Sequence, residues 1–109
     1  MSPQYISDDQ WMAIVSEIPR GLEARLLNAE AEYRSFISAV LWVARHRQRW
    51  SRLASQGWSG THAIYVRYHR WRQAGTWQYV IAALGPNTEE GAALARLVAE
   101  GRWIKPGAV

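Results

Sequence analysis

The chain has 109 residues, 49% hydrophobic residues, seven tryptophans, no cysteine and a formal net charge of +4, which suits one basic domain with a packed core and argues against global disorder. The lack of thiols excludes disulfides and thiolate metal sites and fits a reducing compartment. The longest apolar run, residues 39–44, falls far short of the ~20 needed to span a bilayer, and the acidic N-terminus has no apolar export signal, so a cytoplasmic protein without membrane contact is expected.

Helical signals dominate from the start. Ser7 with Gln10 three residues later forms a capping box, and Asp8 and Asp9 suit the first turn of a helix. Trp11, Ile14, Val15 and Ile18 repeat at helical spacing until Pro19 and Gly21. Residues 20–31 are weakly patterned: Leu22, Leu26 and Leu27 allow a short helix, while Gly21 and Asn28 point to a connector in part. The strongest helical pattern covers 32–46, where Phe36, Val40 and Val43 form a row that Ile37, Leu41 and Ala44 widen. A basic stretch, 45–49, then leads to a short helix over 50–56 closed by Gly57.

After the turn Gly57-Trp58-Ser59-Gly60, a longer helix is expected over 61–74, with Ile64, Tyr68 and Trp71 on the inner face. His62, Val66, His69, Arg70 and Gln73 take the opposite face, with Tyr65 on the flank. Gly75 stops this helix, and Thr76 is read as the cap of another over 77–84. Gly85-Pro86-Asn87 breaks the chain, Thr88 caps a last helix to Glu100, and 102–109 reads as irregular. No strand pattern or internal repeat is evident. The expected fold is all-α, with a helix-turn-helix-like core over 50–74 and an additional C-terminal helix.

Charge is distributed unevenly along this framework. Residues 33–88 contain no Asp or Glu but hold all three histidines (His46, His62, His69) and eight arginines: Arg34, Arg45, Arg47, Arg49, Arg52, Arg67, Arg70 and Arg72. The formal charge is +8 there, −4 before and zero after. Such a one-sign field points to a polyanionic partner, nucleic acid first. Lys105 is the sole lysine, which fits either selection for the bidentate guanidinium fork or a GC-rich genome. Helix 61–74 has the faces a groove-reading helix needs: His62, Val66, His69 and Gln73 toward base edges, and Arg67, Arg70 and Arg72 toward phosphates. Arg45, Arg47, Arg49 and Arg52 extend the cationic surface. The partner expected is double-stranded DNA. The alternative is an interaction module whose aromatic and basic surface meets an acidic protein.

Other tempting residues have simpler explanations. His62 and His69 have no nearby carboxylate in sequence to complete a metal site, and Asp8 and Asp9 serve helix capping. A His62–His69 acid–base pair lacks any second catalytic motif. Trp11, Trp42 and Trp71 belong to apolar faces. Trp50, Trp58 and Trp77 border loops, where packing and stacking on bases are both open. No catalytic residue, cofactor or metal is expected.

Three blocks also carry a family resemblance. The first is Ser7-Asp8-Asp9-Gln10-Trp11 with Ile18-Pro19. Next come Arg34, Ile37, Ala39, Leu41, Trp42 and Val43, followed by Trp50-Ser51-Arg52-Leu53. The third is Trp58, then Tyr65, Arg67, Tyr68, Arg70 and Trp71, then Gly75 and Trp77. Over residues 7–84 this order and spacing resembles the N-terminal domain of IS4/IS5-type bacterial transposases. The family's Thr-Gly-Cys-Pro-Trp turn is replaced by His46-Arg47-Gln48-Arg49-Trp50, and loss of Gly and Pro predicts a helix that runs on toward Trp50.

The resemblance implies an orphan DNA-binding module, a small regulator or accessory protein without the acidic-triad catalytic domain. It divides the chain into a transposase-like unit, 1–84, and a segment 85–109 that has no counterpart. That segment carries Leu94, Leu97 and Val98 with small alanines, and Trp103 and Ile104 beyond. It is expected to form a homodimer interface, to fold back on its own core, or to exchange between two chains about the Gly85-Pro86-Asn87 hinge.

Overall fold

The structure is a computed structural model that describes residues 6–100. Helix α1 (Asp8–Glu17) starts at the capping box: Gln10 N donates to Ser7 Oγ at 3.1 Å and Ser7 N to Gln10 Oε1 at 2.9 Å. Its Trp11, Ile14 and Val15 are buried. Helix α2 (Arg20–Asn28) covers most of the segment 20–31 that the sequence pattern left partly as connector, Gly21 and Asn28 included. Two backbone bonds to the Pro19 carbonyl start it, and fully buried Leu26 ties it to the core.

Only Ala29 separates α2 from α3 (Glu30–His46), which begins two residues before the apolar periodicity does. Residues Phe36, Ile37, Ser38, Ala39, Val40 and Leu41 are consecutive and all buried, so α3 is enclosed on every side and forms the axis of the fold. Trp42, expected in the core, is only half-buried against it.

The turn after α3 corrects an expectation. The helix does not run on into Trp50: it stops at His46, and Arg47 takes left-handed angles (φ 52°, ψ 39°). Arg49 follows at φ −72°, ψ 152°. The backbone thus takes angles that Gly and Pro favour even though neither residue is present. The pull is tertiary. Trp50 is buried against Tyr65 and Tyr68, with ring centroids 5.4 and 4.8 Å away, and the chain must turn to bring it there.

A 3-10 helix (Trp50–Gln56) and the turn at Gly57 (φ 101°) lead to α4 (Thr61–Ala74), bounded by left-handed Gly60 and Gly75. Helix α5 (Trp77–Leu84) follows. Thr76 does not cap it as expected; it has helical angles itself and makes no side-chain capping bond. Helix α6 (Glu89–Glu100) does begin at a working cap, with Gly91 N donating to Thr88 Oγ1 at 3.0 Å. Gly91 is also where α6 passes the Gly85 carbonyl, at a distance that leaves no room for a Cβ.

The fold is all-α, with no strand among the described residues. Helix α1 packs on α5, α4 packs on α3 and the 3-10 helix, and α6 packs on both α3 and α5. Phe36, Trp71 and Trp77 form the aromatic centre, with Phe36 edge-on to Trp71 at 5.0 Å and Trp71 5.1 Å from Trp77. Trp77 Nε1 donates to the Tyr68 carbonyl at 2.9 Å, and Trp58 Nε1 to that of Ser35 at 3.1 Å. The three tryptophans that border loops are therefore packed inside the fold, and Trp58 and Trp77 are also hydrogen-bonded there. Fully buried Leu94 anchors α6, and Arg96 donates to the Ala44 carbonyl at 2.6 Å. The sequence expectation for 102–109, with Trp103 and Ile104, lies outside the described residues. No helix among those described is long and apolar enough to cross a membrane.

Candidate nucleic-acid interface

Helix α4 owes its position to one row of side chains. Tyr65, Tyr68 and Trp71 are buried, and Ile64 is half-buried beside them. Tyr65 thus belongs to the inner face rather than the flank, because Trp50 comes across to meet it. The opposite stripe runs along His62, Val66, His69, Arg70 and Gln73, at the spacing of one helix face. His62, Arg70 and Gln73 are exposed, whereas Val66 and His69 are half-buried, with the His69 ring stacked 6.5 Å from Tyr65. Fourteen residues give α4 a length of ~20 Å.

The arginines of the acid-free window divide into two groups. Four are engaged within the fold. Arg34 is buried, 2.8 Å from Asp8 and 3.2 Å from Glu30, and also donates to the Ile6 carbonyl. Burial works against its charge, but hydrogen bonds to Asp8 and Glu30 outweigh that and hold its pKa above the ordinary value. Arg45 pairs with Glu89 at 2.7 Å and Glu90 at 3.8 Å. Arg67 lies over the rings of Tyr33 and Phe36, 4.8 and 5.3 Å from their centroids, with Glu32 at 3.7 Å. Arg72 donates through Nε to the Val98 carbonyl at 3.0 Å.

The other four are Arg47, Arg49, Arg52 and Arg70. All are exposed, and none makes an ion pair among the described residues. Trp50 carries the first three toward α4, because it sits between Arg49 and Arg52 in the chain and packs on Tyr65 and Tyr68. The N-terminus of α4 adds positive potential of its own. Gly60 offers no capping side chain and the first turn has no acid, so the first amide N–H groups are left for an anion or water.

Sequence reasoning missed a cleft of about 500 Å³ between the start of α3 and the turn into α4, lined by Phe36, Trp58, Ile64, Glu32 and Arg67 among others. Its walls come from residues about 30 positions apart, which no local spacing could join. The described residues contain no cluster of three His, Asp or Glu side chains able to hold a metal ion.

Comparison with known proteins places the chain in a family. The sequence profile of a family described as "Putative transposase of IS4/5 family (DUF4096)" matches residues 6–81. The chain is also 32% identical over 79 residues to "Uncharacterized protein y4sN" of Sinorhizobium fredii (strain NBRC 101917 / NGR234), an alignment that covers 72% of this chain. It spans only 62% of that relative's length. No solved structure matches. With its three sequence blocks folded into one helical unit from α1 to α5, the chain belongs to the IS4/5 transposase-related family, and α6 lies beyond the matched region.

Proposed function

We propose that this domain binds duplex DNA through the 3-10 helix, the Gly57–Gly60 turn and α4, with α4 in the major groove, and that it acts as a small regulator or accessory factor without chemistry of its own. The observation that carries the reading is the division of the arginines. Every one of the window's exposed arginines lies on or beside this unit, while the others are held by acids, rings or carbonyls of the same chain. Family membership supports a DNA-related role.

In this reading His62, His69 and Gln73 face base edges, Arg70 and Arg52 face phosphates, and Arg45, Arg67 and Arg72 chiefly hold the unit in shape. A single helix-turn-helix buries little DNA surface, so binding as a homodimer on paired half-sites belongs to the same proposal. Light scattering tests that part; a mass that stays at one chain with DNA bound would exclude it.

The test of α4 is affinity for a selected duplex and for a scrambled one, after circular dichroism shows the variants folded. Arg70→Ala should weaken binding to both, whereas His69→Ala and Gln73→Ala should also narrow the difference between them. Unchanged affinity in an Arg70→Ala/Gln73→Ala double variant would take α4 out of the groove.

A further inference from the structure

Five described residues have positive φ; four are glycines (Gly57, Gly60, Gly75 and Gly85) and the fifth is Arg47. For any residue with a Cβ this conformation is sterically penalised, and Gly adopts it freely. Wherever else the described fold needs a left-handed turn it uses Gly, but here it carries a long cation with an exposed side chain. The C-terminal dipole of α3 does not account for the choice. Arg96 already donates to the Ala44 carbonyl at 2.6 Å, and Arg45 and His46 occupy the last turn. Two residues on, Arg49 is also exposed, and it is fixed at φ −72°, ψ 152° because its carbonyl accepts the first bond of the 3-10 helix, from Arg52 N at 3.0 Å.

We propose that Arg47 and Arg49 form a phosphate clamp, in which two guanidinium groups grip neighbouring phosphodiester oxygens of one DNA strand alongside α4. The left-handed residue and the 3-10 bond set both Cα positions, at most ~7 Å apart, so only side-chain freedom is lost on binding. Stability is given up at Arg47 and duplex affinity is gained, the pattern that strained backbone at binding sites follows. The clamp rests on the duplex-DNA reading above and adds to it a division of labour. The turn 47–49 supplies affinity without sequence preference, and α4 supplies the preference.

Thermal melting and duplex affinity across a salt series test it, for Arg47→Gly, Arg47→Gln, Arg49→Gln and the Arg47→Gly/Arg49→Gln double variant, with Arg70→Ala as reference. Arg47→Gly should melt a few degrees above the unmodified protein, whereas Arg47→Gln, which keeps the strain, should not. The double variant should lose about tenfold in affinity on every duplex, with a log–log salt slope shallower by about 2. A lower melting point for Arg47→Gly overturns the strain argument, and an affinity loss confined to one sequence overturns the phosphate assignment. If the double variant binds normally while Arg70→Ala is weakened, the clamp is wrong and the DNA reading stands. If the unmodified protein binds no duplex, the DNA reading itself fails.

Discussion

Arg34 and Arg70 stand in the same acid-free stretch of sequence, yet they occupy opposite electrostatic situations. Around Arg34, folding brings in Asp8 and Glu30 from one side of the window and covers the guanidinium until its side chain is 9% exposed. Around Arg70, on the outer stripe of α4, no carboxylate of the described residues lies within ion-pair distance, and the side chain is exposed. A stretch free of acids in one dimension is therefore not free of them in three. Arg45 takes its partners, Glu89 and Glu90, from α6, and Arg67 takes Glu32 from the start of α3. What survives this compensation is a smaller cationic surface, Arg47, Arg49, Arg52 and Arg70, with a sharper location. The inner arginines are held by groups of the same chain, and the outer ones are exposed and make no ion pair among the described residues.

The largest separation between the two groups is expected in stability. Arg34→Ala strips three oxygens of their donor and removes packing against Trp11, over whose ring the guanidinium sits at 6.0 Å. Asp8 is 90% exposed and can be rehydrated, so the loss should be about 2 kcal/mol, below that of a fully buried pair. Arg70→Ala should change stability by less than ~0.5 kcal/mol. Urea denaturation measures both, and equal losses would dissolve the distinction.

The next contrast concerns tyrosines and high pH. Burial, with Glu100 adding to it and Arg72 opposing, pushes the Tyr68 phenol up to about 12. Its hydroxyl also donates to the Leu97 carbonyl at 3.4 Å, whereas Tyr79 on α5 is 43% exposed. Because the folded state favours the neutral phenol, the Tyr68 contribution is complete below pH ~10 and is lost as pH rises through about 12. An ultraviolet titration should show a late step at high pH, together with loss of helix, and Tyr68→Phe should remove it. Simultaneous ionisation of all tyrosines would place Tyr68 at the surface.

The smallest effect is expected at Arg45. Its partner Glu89 is 73% exposed, so Glu89→Gln should lower stability by at most ~1 kcal/mol, and salt should erase the difference. A loss that persists at high salt would mean that Glu89 holds α6 to α3 through more than its screened charge.

Much of this fold was legible because several of its devices are local. The Ser7–Gln10 capping box, the glycines at 57, 75 and 85 and the apolar helical spacing of α3 all act within one or two turns of chain. Helix α2 was harder to see because its pattern is short and its core contribution comes chiefly from Leu26. The turn at Arg47 was misread because local propensity favours more helix there, while the burial of Trp50 against α4 is a tertiary demand. The outer stripe of α4 could be read from helical spacing alone. Which arginines stay exposed could not, since their partners lie up to 44 residues away along the chain, as for Arg45 and Glu89.

The central claim is that the exposed arginines beside α4 bind the phosphates of duplex DNA, and the salt dependence of duplex affinity tests it most directly. Four to six phosphate contacts give a log–log slope of roughly −4 to −5, and removal of Arg70 should make it shallower by about 1. A slope near zero, or a slope that Arg70→Ala leaves unchanged, would contradict the account.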